Sequence, residues 1–123
     1  MPNLLIVDDE PDILEVTKMA FETMGYEVAT AASGEEALQT FQSDPPHVLL
    51  VDYKLHGMSG TDFLRKARAI RPTIPAVMIT GLTHQVEEVE ADCNELGVTL
   101  LHKPLQMEEV FRTVKKVLEN SSP

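Results

Sequence analysis

Residues 3–12 read NLLIVDDEPD. Leu4, Leu5, Ile6 and Val7 form an unbroken apolar run, the habit of a strand covered on both faces in a parallel sheet. Two adjacent carboxylates follow, Asp8 and Asp9, with Glu10 and Asp12 close behind. Like charges side by side repel, and a buried carboxylate is costly. A chain that ends a buried strand this way must have a use for the charge, or a cation to balance it.

The same grammar recurs downstream. Val48–Val51 and Ala76–Ile79 are continuous apolar runs of strand length, and Val98–His102 (VTLLH) is a further candidate. Tyr26–Ala31 is mixed in polarity, as an edge strand would be. Helical patterns lie between them. Pro11–Met24 places Ile13, Val16, Ala20 and Met24 on one predicted face, and Gly25 ends it. Ser33 can cap a helix running to Gln42 that turns Ala37, Leu38 and Phe41 inward, with Glu36 at the capping-box position. Ser59 can cap the next, which buries Phe63, Leu64, Ala67 and Ile70. Thr83–Leu96 is expected to bury Val86, Val89, Cys93 and Leu96. Gln106–Glu119 is expected to bury Met107, Val110, Phe111, Val114, Val117 and Leu118. Strand and helix alternate five times, which predicts an α/β fold with a parallel sheet and helices on both faces. Right-handed crossovers leave few topologies.

Composition sets the outer bounds. The 123 residues make one ordinary domain, with 43% hydrophobic and 24% charged residues. Twenty acidic residues against ten basic ones give a formal net charge of −10, which disfavours direct binding of nucleic acid. No apolar run reaches membrane-spanning length, so no membrane partner is expected and a cytoplasmic location is. The single cysteine, Cys93, cannot form an internal disulfide and reads as a core residue. Asn120-Ser121-Ser122 matches a glycosylation acceptor by chance.

In open parallel sheets, ligands bind beyond the carboxyl ends of the strands. Asp8 and Asp9 stand at the first such end, Asp52 at the third, Thr80 and Gly81 at the fourth, Lys103 and Pro104 after the fifth. Three carboxylates, a hydroxyl and an ammonium therefore converge on one edge. Mutually repelling carboxylates suit a hard divalent ion such as Mg²⁺, which takes one or two carboxylates plus water and phosphate oxygens. A lysine pairs with a carboxylate or with an anion added to it, and a threonine hydroxyl can donate to a phosphoryl oxygen. An aspartate can itself be the nucleophile that forms an aspartyl phosphate.

LLIVDDE, VLLVDYKLHGMSG, VMITG and HKPL occur in the order and position seen in response-regulator receiver domains, the CheY-like phosphoacceptor modules of two-component signalling. The chain resembles that family from Leu4 to about Leu118. The resemblance implies a five-stranded parallel sheet of order 2-1-3-4-5 with five helices. It implies that Asp52 is the phosphoacceptor, and that Asp8, Asp9, Asp52 and the backbone carbonyl of Lys54 hold Mg²⁺ or Mn²⁺. Thr80 would be the switch hydroxyl, and Lys103 would contact the phosphoryl group before a cis bond to Pro104. The implied partners are a sensor histidine kinase or phosphotransfer protein and a downstream effector. The domain would span residues 1–119, with 120–123 as a tail. It would be a switch, not a turnover enzyme, that assists its own phosphorylation and dephosphorylation.

Three positions depart from the family pattern. His56 stands where proline is usual, Leu100 replaces the aromatic three residues before the lysine, and the Gly97–Lys103 segment is one residue short. Gly81, the small residue after the threonine, should leave the following loop freer. Competing readings are specific. Asp9 could serve as a helix N-cap before Pro11. Glu10 is expected to face solvent, as is Lys54, and all four histidines read as surface residues. Glu87, Glu88, Glu90, Asp92 and Glu95 on the fourth helix, against Arg112, Lys115 and Lys116 on the fifth, suit a solvated face; a phosphorylation-dependent homodimer pairing these helices is the weaker alternative. The rival from another class is an aspartyl-phosphate hydrolase. That chemistry needs a second acid two residues after the nucleophile, where Lys54 stands.

Overall fold

The computed structural model describes residues 3–82 and 84–120. The elements are β1 (Asn3–Val7), α1 (Pro11–Thr23), β2 (Glu27–Ala31), α2 (Gly34–Ser43), β3 (Val48–Asp52), α3 (Gly60–Ile70), β4 (Ala76–Thr80), α4 (Val86–Leu96), β5 (Thr99–His102) and α5 (Met107–Asn120). All five strands are parallel, in the order β2-β1-β3-β4-β5. This is the α/β architecture that the alternation of strands and helices predicts, with the strand order that the resemblance implies. The helix expected from Thr83 begins at Val86 in the structure; Thr83 itself, and residues 121–123 of the expected tail, lie outside the described residues.

The apolar runs are continuous because alternate side chains enter two separate cores. Leu5, Val7, Leu49, Val51 and Met78 pack with Phe41 of α2, Phe63 and Leu64 of α3, and Val89 and Cys93 of α4. Leu4, Ile6, Val48, Leu50, Val77 and Ile79 pack on the other face with Phe21 of α1 and Val110 and Val114 of α5. The α2 and α3 starts are capped as expected: Ser33 Oγ accepts from the Glu36 amide at 3.2 Å and Ser59 Oγ from the Asp62 amide at 3.1 Å.

The expected face of α1 is corrected. Val16 and Met24 are 63% and 57% exposed, and the buried residues are Thr17 and Phe21, with Leu14 packed beside them. The helix is rolled so that its largest side chain goes inside. Phe21 meets Tyr26 and Phe111 edge-on, at centroid distances of 5.1 and 4.8 Å, the arrangement aromatic quadrupoles favour. Ile70 is likewise exposed, because it is the last residue of α3 and lies beyond the reach of the core.

Register sets the site. Val7 pairs with Val51, so Asp8 and Asp52 follow side by side on neighbouring strands. Asp52 pairs with Ile79 and Thr80 with His102, so Thr80 and Lys103 complete the same edge.

Candidate functional site

Asp8, Asp52 and Thr80 are buried at the carboxyl edge, each 5% exposed or less. Lys103 reaches them from beyond β5. Its Nζ lies 3.0 Å from Asp52 Oδ2, 3.3 Å from Glu10 Oε1 and 4.0 Å from Asp8 Oδ2. The other carboxylate oxygens are used by the local backbone. Asp8 Oδ1 accepts from the Glu10 amide at 2.9 Å, and Asp52 Oδ1 from the Lys54 amide at 3.2 Å. The peptide bond between Lys103 and Pro104 is cis, as the resemblance implied. Thr80 Oγ1 accepts from the Leu82 amide at 3.1 Å, which fixes the start of the loop after β4.

Electrostatics follow from this geometry. Burial is the main force that pushes the Asp8 carboxyl up to about 6; the Glu10 amide opposes it, Asp52 adds to it, and the Lys103 ammonium opposes it. Burial works against the Lys103 charge too, but the hydrogen bond and charge of Asp52, helped by Asp8 and Glu10, hold its pKa above the ordinary value. Oxygens of Asp8, Asp9, Glu10 and Asp52 lie within 4.8 Å of one another. An all-oxygen set of that charge, one member of which already resists ionisation, fits a hard divalent cation. These residues could hold a metal.

The structure brings together every site residue expected from sequence. It also adjusts several. Asp9 is not the helix cap: Glu10 occupies the N-cap of α1 and no side chain caps it. Asp9 instead faces His56, with Nε2 3.8 Å from Oδ2, while the imidazole itself is 89% exposed. Glu10 is exposed as expected but not idle, because it shares Lys103. Lys54 points outward, and its backbone bridges to Ser59.

Two glycines support the site through contacts that their place in the sequence does not reveal. A Cβ on Gly60 would stand 2.4 Å from the Asp52 carbonyl oxygen, so only glycine lets α3 begin against the end of β3. A Cβ on Gly81 would meet Lys103 Cδ at 3.2 Å, so the lysine stem lies across that glycine. An open cleft of about 350 Å³ runs from Asp52 to solvent between Glu10, Lys54, Leu82 and Lys103.

A doubly wound sheet with acids, a hydroxyl and a lysine at its carboxyl edge defines a class: open α/β proteins whose polar site lies beyond the strand ends. The family is narrower. The response regulator receiver domain matches residues 4–115, and the chain belongs to that family. It is 32% identical over 96% of its length to the probable transcriptional regulatory protein TcrX of Mycobacterium tuberculosis, covering 50% of that protein. It is 31% identical, again over 96%, to the alkaline phosphatase synthesis transcriptional regulatory protein PhoP of Bacillus subtilis, covering 49% of it. The chain thus spans about half the length of these curated relatives. Among solved structures, a CheY-like response regulator receiver domain protein from Methanospirillum hungatei superposes with a TM-score of 0.91 at 32% identity, covering 98% of this chain and 96% of that one. The response regulator TrrA of Thermotoga maritima, solved in complex with Mg²⁺-BeF, gives 0.85 at 29% identity, covering 95% and 99%. This is a receiver domain of two-component response regulators, and the hydrolase alternative draws no support. Among the described residues, no helix is long and apolar enough to cross a membrane.

Proposed function

We propose that Asp52 is the phosphoacceptor of a two-component relay, charged by a sensor histidine kinase or phosphotransfer protein in the cytoplasm and read by a downstream effector. The observation that carries this is the 3.0 Å contact between Lys103 Nζ and Asp52 Oδ2 beside four clustered acids. An Asp52 oxygen attacks phosphorus, a P–O bond forms, and the P–N bond of a phosphohistidine breaks. The leaving nitrogen keeps the electron pair and takes a proton from water. Mg²⁺ or Mn²⁺, when bound, neutralises charge on the phosphoryl oxygens.

Asp8, Asp9, Asp52 and the carbonyl of Lys54 are the residues we assign to that cation. Lys103 is already paired with Asp52 and can follow it onto a phosphoryl oxygen with little movement. The Thr80 hydroxyl donates to the new group, which draws the loop after β4 toward the site. Positioning and charge neutralisation are most of what phosphoryl transfer requires. The protein is therefore a switch that assists its own phosphorylation, and residues 1–119 are its working unit. Incubation with a small phosphodonor and Mg²⁺, read by intact mass, tests the assignment. One phosphoryl adduct is expected on the native chain and none on Asp52→Asn; an adduct that survives this substitution refutes it.

A further inference from the structure

Asp52 is buried, so any phosphodonor reaches it through the cleft mouth, and Glu10 stands in that mouth. The Glu10 side chain is 57% exposed, and its Oε1 is 3.3 Å from Lys103 Nζ. One of its oxygens lies within 4.8 Å of those of Asp8, Asp9 and Asp52. The ammonium that would welcome an incoming anion is thus already shared by Asp52, Glu10 and Asp8. The Lys54 side chain is exposed at the same cleft.

We infer that Glu10 is a specificity-determining residue that selects phosphodonors by charge, favouring those whose leaving group is a protonated nitrogen over doubly negative acyl phosphates. The inference rests on the reading of Asp52 as phosphoacceptor. Both reactions balance. Phosphoramidate loses its P–N bond and releases ammonia; acetyl phosphate loses its P–O bond and releases acetate, the electron pair leaving with each group. Near neutral pH the first donor carries one net negative charge fewer than the second. Oxygens of Glu10 and Asp52 lie within 4.8 Å of each other. At a separation of about 5 Å and the dielectric of water, one unit charge against another changes a rate about fourfold. The effect weakens with salt, because the carboxylate is exposed.

The test compares phosphorylation rates of the full chain with acetyl phosphate and with phosphoramidate, in Mg²⁺, by intact mass. Glu10→Gln keeps the side chain's shape and an oxygen that can still accept from Lys103. It should raise the acetyl phosphate to phosphoramidate rate ratio about fourfold. Glu22→Gln, which removes the same charge far from the cleft, should leave the ratio unchanged. The difference between the native and Glu10→Gln ratios should shrink with added salt. A ratio unmoved by Glu10→Gln, or a native-to-variant difference that ignores salt, overturns the role of Glu10 and leaves Asp52 as acceptor. No adduct from either donor overturns both.

Discussion

Replacing Asp8 by asparagine should stabilise the fold. Asp8 is 5% exposed, and burial holds its carboxyl up to about 6 against an ordinary 3.8. An acid whose folded pKa lies above its unfolded one binds its proton more tightly when folded, so this group favours folding in acid. Its contribution is fully present below about pH 4, is lost between about pH 4 and 6, and stays lost above that. At pH 7 the interval from 3.8 to about 6 corresponds to roughly 3 kcal/mol of folding stability forgone. Asparagine escapes that cost, and its side-chain oxygen can still accept from the Glu10 amide, as Asp8 Oδ1 does at 2.9 Å. In a domain of 123 residues the gain converts to roughly 10 °C in Tm. Thermal unfolding in a chelator, run across a pH series, reads it directly. Asp8→Asn should melt above the native chain near pH 8, and the two curves should converge as pH falls through about 6 toward 4. Mg²⁺ should raise the native Tm more than that of the variant. A variant less stable than the native chain at pH 8, or a gap that ignores pH, would refute the reasoning.

Other outcomes follow from the same contacts. Lys103→Gln leaves the Asp8 and Asp52 carboxylates without their cation, and should cost about 1–3 kcal/mol in urea unfolding, a loss that saturating Mg²⁺ reduces. Gly60→Ala forces a Cβ onto the Asp52 carbonyl, and should cost about 1–3 kcal/mol while slowing phosphorylation measured by mass. Phe21→Ala should cost about 3–5 kcal/mol. Val16→Ala, five residues away on the exposed face, should change stability by no more than about 0.5 kcal/mol. Equal effects at these two positions would contradict the orientation of α1.

The sheet was legible because Leu4–Val7, Val48–Val51 and Ala76–Ile79 are apolar without interruption, as strands buried on both faces must be. The site was legible for the same reason: Asp52 and Thr80 close their strands and Asp8 and Lys103 directly follow theirs, so locating the apolar runs located the edge. The inner face of α1 was not. Ile13, Val16, Ala20 and Met24 form one apolar stripe, and Leu14, Thr17 and Phe21 lie on another. Which goes inside depends on Tyr26 and Phe111, and Phe111 comes from a helix at the far end of the chain. The work of Glu10 was also hidden, since its partner is 93 residues away. Nothing near Gly60 in the sequence announces the carbonyl of Asp52 against it.

The register that aligns β1, β3, β4 and β5 has a consequence for the order of assembly. Synthesis delivers Asp8 and Asp9 first, Asp52 next, Thr80 after that and Lys103 last. A nascent chain lacking the final strand can bring its acids together only against their own repulsion. Docking of β5 carries the ammonium in beside Asp52 and relieves that repulsion. β5 is the outermost strand of the sheet, so the last strand to emerge completes the site rather than the sheet: a chain stopped before it can align the acids on one edge but lacks the ammonium that makes them tolerable.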